Sequence, residues 1–142
     1  MPRQARKESG TGIFHVMMRG INHQNIFEDE EDNWQFINTL DRMRKRYDDD
    51  GNLCGINSSF YAYCLMGNHF HLLIREREEK VGETIKRIAS SYVYYYNRKY
   101  LRDGHLVQLN ELLDPFLFRD MRVAVNRLNL ALGRKERILV TM

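Results

Sequence analysis

Cysteine is scarce: Cys54 and Cys64 are the only two in 142 residues. Their spacing matches no metal-ligand pattern, which argues against a zinc module and a disulfide scaffold. Both read as free thiols of a reducing, cytoplasmic compartment. Long apolar runs are missing as well. None approaches the ~20 residues needed to cross a bilayer, so no membrane partner is expected. The first residues, Met1-Pro-Arg-Gln-Ala-Arg-Lys7, lack the apolar core of a signal peptide. No internal repeat or low-complexity segment occurs, which excludes a repeat architecture. Charge is nearly balanced, with 22 Lys and Arg against 19 Asp and Glu, a net +3. That mild basicity permits a nucleic-acid partner without demanding one.

What remains is an ordinary globular composition, 43% hydrophobic and 29% charged. The length suits one domain with a real core, spanning residues 1–142. Its organising stretch is Phe60 to Arg75. Tyr61, Tyr63 and Leu65 alternate with Phe60, Ala62 and Cys64, which predicts a strand. Gly67-Asn68 follows as a two-residue turn, since both types tolerate positive φ. A second strand then runs from His69 to about Arg75. Alternation puts His69 and His71 on one face, with Phe70 and Leu72 on the other. Two imidazoles side by side on a rigid strand can grip one metal ion and leave positions open for substrate.

The flanking chain adds the other elements. Residues 2–10 read as a loose basic arm. Thr11 to Arg19 predicts a first strand, with Phe14, Val16 and Met18 on one face and Ile13, His15, Met17 and Arg19 on the other. His15 is either a sheet histidine or a part of the site. A loop rich in Asn and Gln leads to the acidic run Glu28 to Asp32, where negative charge suits a helix start. That helix is expected to reach about Tyr47, with Phe36, Ile37, Leu40, Met43 and Tyr47 as its apolar stripe. A loop from Asp48 to Asn52 ends it. A second helix runs from about Val81 to Tyr100, its stripe formed by Val81, Ile85, Ile88, Ala89, Tyr92, Tyr95 and Tyr96. Leu106 to Asn110 is the candidate last strand. The order β-α-β-β-α-β predicts an α+β, ferredoxin-like antiparallel sheet with two helices on one face. A further C-terminal helix is expected from Phe116 to Leu132, ended by Gly133.

These residues carry a resemblance. His69-Phe70-His71 is a His-hydrophobe-His triplet within Tyr61-Ala-Tyr-Cys-Leu-Met-Gly-Asn-His-Phe-His-Leu-Leu73. With it stand Phe14-His-Val-Met-Met-Arg-Gly20, Asn22, Ile26-Phe27 with its acidic run, Tyr96-Asn-Arg-Lys-Tyr100, Gly104-His-Leu106 and Gln108. In that order they resemble the IS200-like, REP-associated tyrosine (HUH-type) transposases over residues 2–108. The resemblance implies binding of single-stranded hairpin DNA and its cleavage and rejoining by transesterification. A tyrosine hydroxyl attacks a backbone phosphate and becomes joined to it, releasing a 3′-hydroxyl. Ligand softness alone points to zinc on His69 and His71; the family implies Mg²⁺ or Mn²⁺. Further ligand candidates are His15, Gln108 and Asn68. For DNA contact the candidates are Arg19, Asn22, Arg44, Lys45, Arg98 and Lys99. A homodimer is a further expectation, since relatives exchange their tyrosine helix between subunits.

Residues 109–142 depart from the pattern. The family's nucleophile lies in a C-terminal Tyr-Ile-His segment followed by Asn-Pro, and no tyrosine follows Tyr100 here. Val125-Asn-Arg-Leu-Asn129 echoes it without a nucleophile. Tyr94, Tyr95 and Tyr100 are the fallbacks, though Tyr95 fits the core stripe. Three readings therefore stand: a transposase, a remnant that binds DNA without strand cleavage, or a ferredoxin-like domain with a structural or protein-binding role and incidental histidines.

Overall fold

Apolar residues alternate along four strands, and burying the shared apolar side is what assembles them. In the computed structural model, which describes residues 12–113 and 138–139, the first strand is β1 (Ile13–Gly20). Helix α1 (Glu30–Arg44) and a short hairpin of β2 (Lys45–Tyr47) and β3 (Leu53–Ile56) follow. Then come β4 (Ser58–Met66), β5 (His69–Glu76), α2 (Val81–Lys99) and β6 (Val107–Leu113). A two-residue strand, β7 (Ile138–Leu139), pairs at the outer edge of β4. The sheet runs β6-β1-β5-β4-β7, and every neighbouring pair in it is antiparallel. Its first four strands, with both helices on one face, form the expected ferredoxin-like arrangement. The C-terminal helix expected over Phe116 to Leu132 lies outside the described residues.

Phe14, Val16 and Met18 of β1 join Phe70, Leu72 and Ile74 of β5 in the main core. Phe36 and Leu40 of α1, and Val81, Ile85, Ile88, Tyr92 and Tyr96 of α2, close over them. Burial of each large side chain contributes roughly 1.5–3 kcal/mol. The opposite face holds a smaller cluster of Ile13, Ala62, Cys64 and Leu73. The predicted alternation of β1 and β5 is thus borne out.

Three local expectations need correction. Helix α1 stops at Arg44 rather than near Tyr47, because Lys45 turns to extended backbone. Tyr47 then sits on β2, 49% exposed, and not on the apolar stripe. The register of β4 shifts between Phe60 and Ala62. Such a bulge inserts a residue and flips the alternation. Phe60 therefore shares the helix-side core with Tyr63 and Leu65, while Tyr61 packs against the cluster on the other face. Finally, positive φ is found at Asn22, His23, Leu101, Gly12, Gly51 and Gly104 but at neither Gly67 nor Asn68. That turn is held by its surroundings instead. Gly67 O accepts from Ile26 N and Phe27 N, and Asn68 O accepts from Gly20 N at 2.8 Å.

One buried carboxylate ties the start of α1 to the end of α2. Asp29 caps α1 by accepting from Asp32 N. Asp32 itself is fully buried. It accepts from Tyr100 Oη at 2.6 Å, Tyr95 Oη at 2.9 Å, Lys99 Nζ at 3.0 Å and Glu28 N at 2.9 Å. Burial pushes the Asp32 carboxyl up, but these hydrogen bonds together outweigh it and hold the group below its ordinary value of 3.8.

Asp32→Ala should cost about 3 kcal/mol in urea melts, because it leaves the phenols and ammonium without their buried acceptor. The depressed pKa sets the sign with pH. The Asp32 contribution is complete above the unfolded value of 3.8 and is lost as pH falls through the lower folded value. Wild type should therefore lose stability below about pH 4 more steeply than Asp32→Asn.

Candidate active site

The side of the sheet away from the helices carries the histidines. Antiparallel pairing sets residues opposite each other on the same face. Gln108 of β6, Arg19 of β1, His69 of β5 and Met66 of β4 fall in one row across four strands. The next row places Met17, His71 and Cys64 side by side. His15 lies one row further, opposite Leu73.

The rings of His69 and His71 have centroids 5.2 Å apart at 76°. Two imidazoles bound to one cation through nitrogens at ~2.1 Å would have centroids about 4.5–5.2 Å apart. Asn68 Oδ1 lies 2.7 Å from His69 Nδ1, and Asn68 Nδ2 donates to His23 O. With its amide set that way, Asn68 offers His69 only an acceptor, so His69 Nδ1 carries the proton and Nε2 a lone pair. Asn68 thus spends its side-chain oxygen on orienting His69. His71 is 5% exposed, and its Nδ1 is 2.9 Å from His15 Nε2. Burial first, then the neighbouring His15, His69 and Arg19, push the His71 pKa down to about 3. Burial and Arg19 lower His69 as well. Both rings are therefore neutral, the form that binds metal.

Among the described residues no group of three or more His, Cys, Asp or Glu is arranged to hold a metal ion. The groups that could meet a cation here are the two imidazoles, with the amide of Gln108 exposed in the row of His69. By ligand type, imidazole suits Zn²⁺ and its transition-metal neighbours better than Mg²⁺ or Mn²⁺.

The DNA-contact candidates divide. Arg19 is half-buried beside His69, and exposed Asn22 follows in the loop after β1 with left-handed φ of 56°. The other four have partners elsewhere. Arg44 and Lys45 both pair with Asp41, at 2.8 and 3.0 Å. Arg98 donates to Tyr94 Oη at 2.8 Å. Lys99 pairs with Asp29 at 2.8 Å and Asp32 at 3.0 Å, and those bonds raise its pKa.

All eight tyrosines fall within the described residues. Tyr95 and Tyr100 pack against the helix-side core and donate to Asp32, with the sheet between them and the histidines. Burial, then the bond to Asp32, raises both, with Tyr100 pushed up to about 12. Tyr94 is 64% exposed on α2. The alternation rule missed Tyr61. The β4 bulge turns it onto the histidine side, where its hydroxyl accepts from Arg75 Nη1 at 3.4 Å. No residue type in the sequence announces that bulge.

No protein-family model matches the chain. No curated protein matches it significantly. Among solved structures it resembles that of a REP-associated tyrosine transposase bound to a REP hairpin. The TM-score is 0.63 at 8% identity, covering 94% of this chain and 76% of the other. The likeness is one of fold, an α+β antiparallel sheet with two helices. No described helix is long and apolar enough to cross a membrane.

Tyr95→Phe and Tyr100→Phe should each cost about 2 kcal/mol in urea melts, the contribution of one hydrogen bond to a charged, buried carboxylate.

Proposed function

We propose that this chain is an IS200-like, REP-associated type of transposase that binds single-stranded hairpin DNA and cleaves and rejoins it through a tyrosine. The observation that carries the reading is the pairing of His69 and His71, neutral and side by side, in a fold like that of a hairpin-bound transposase. These two rings would hold Mg²⁺ or Mn²⁺. A cation there would withdraw charge from phosphate oxygens and orient the scissile bond. Arg19, in the row of His69 and Gln108, would meet a backbone phosphate beside the cation, with Asn22 following it in the loop after β1. Arg44, Lys45, Arg98 and Lys99 lend background charge, since carboxylates or a phenol already engage them.

A second reading has its own observation. Tyr95 and Tyr100 are tied to Asp32 across the sheet from the histidines, and no tyrosine follows Tyr100. On that reading the chain is a transposase remnant that holds hairpin DNA without cutting it.

Incubation with labelled hairpin DNA and Mn²⁺, followed by denaturing electrophoresis, separates the two. Strand transfer predicts a covalent adduct that vanishes in His69→Ala and His71→Ala. Peptide mapping would name the tyrosine, with Tyr61 first to check and Tyr94, Tyr95 and Tyr100 after it. Hairpin binding without adduct selects the remnant, and neither binding nor adduct sinks both readings. Arg19→Ala should weaken hairpin binding about tenfold and flatten its salt dependence by roughly one unit of slope.

A further inference from the structure

His15 and His71 meet in an unusual way. Their rings are nearly parallel, at 14°, with centroids 5.2 Å apart. That separation by itself would permit an offset stack. It equals the 2.9 Å between His15 Nε2 and His71 Nδ1 plus about 1.1 Å from each nitrogen to its ring centre, as a linear bond requires. The two imidazoles thus lie edge to edge in one plane, sharing one proton along the line between their centres.

The direction of that bond decides what His71 can do. A neutral imidazole carries a single proton, on one ring nitrogen or the other. If His15 Nε2–H donated, the His71 proton would sit on Nε2 and no lone pair would face outward. If His71 Nδ1–H donates, His71 Nε2 is left with its lone pair. Two observations favour the second arrangement. His69, the neighbouring ring, already has the same one, imposed by the acceptor oxygen of Asn68. Among the described residues none accepts a hydrogen bond from His71 Nε2, whereas Nδ1 has its partner in His15.

We infer that His15 is a positioning residue: its Nε2 accepts from His71 Nδ1–H, fixes the His71 ring and tautomer, and keeps the His71 Nε2 lone pair available to a cation. His15 is then not itself a ligand. It does for His71 what Asn68 does for His69, so each imidazole of the pair has its own orienting acceptor. This rests on reading the paired histidines as a cation site, and the test separates the two claims.

Long-range ¹H–¹⁵N spectra of the uniformly labelled, metal-free chain at pH 8 report the tautomers directly. The expected result is a protonated Nδ1 on His71 and an unprotonated Nε2 on His15. A His71 proton found on Nε2 overturns the inference, and this readout needs no variant to fold. Mn²⁺ affinity by electron paramagnetic resonance supplies the second arm. His15→Phe, which has no acceptor, should bind Mn²⁺ about 10- to 100-fold more weakly. His15→Gln, whose amide oxygen can accept, should stay within about threefold of wild type. Unchanged affinity in folded His15→Phe also overturns the positioning role. If wild type binds no Mn²⁺, the cation reading fails, and the tautomer spectrum alone decides the His15–His71 bond.

Discussion

β1 and β5 are joined along their whole length, from Ile13 opposite Arg75 to Arg19 opposite His69. This central pairing does two things at once. On one face it lines up Phe14, Val16 and Met18 with Phe70, Leu72 and Ile74, the floor of the main core. On the other it sets Arg19 beside His69 and brings His15 within hydrogen-bond reach of His71. A slip of one residue would invert every side chain, burying imidazoles under the helices and exposing the phenylalanines. The hydrophobic effect therefore specifies the geometry of the polar face without acting on it.

The end of the sheet that bears His69 is braced from outside. The loop after β1 returns to the β4–β5 turn, where Ile26, Phe27 and Gly20 donate to the carbonyls of Gly67 and Asn68. A Cβ at Gly20 would stand 2.1 Å from Gln24 O, so only glycine lets the loop fold back that tightly. Tyr92 and Tyr96 donate to the carbonyls of Ile26 and Asn25 from α2, linking the same loop to the helix layer. The tyrosine-rich end of α2 thus serves the scaffold. The phenols of Tyr92, Tyr95, Tyr96 and Tyr100 are engaged by loop carbonyls, Glu28 and the buried carboxylate of Asp32.

That expenditure bears on the chemistry. A phenol with a raised pKa that already donates to a carboxylate is a poor nucleophile, since ionising it places a second negative charge beside the first. Tyr61 lies on the histidine side of the sheet, where its hydroxyl accepts from the guanidinium of Arg75. Arg75 lies three rows along β5 from His69, so the Arg75–Tyr61 contact is toward the far end of the strand.

Much of this was legible in one dimension. The period of two through Phe14, Val16 and Met18 and through His69 to Ile74 assigned their faces correctly, because nothing interrupts those strands. The stripe of α2 was equally plain, since apolar spacing records burial. Tertiary structure decided the rest. The β4 bulge that moved Tyr61 and the early end of α1 at Arg44 arise from pairing with β5 and from the β2–β3 hairpin, not from any residue's own preference. The acceptors of the polar groups were equally hidden. That Tyr95 and Tyr100 serve Asp32, and that His15 serves His71, depends on residues up to 68 positions apart meeting in space. Composition and period determine which side chains leave water; only the closed sheet and its two helices determine which polar groups they bring together.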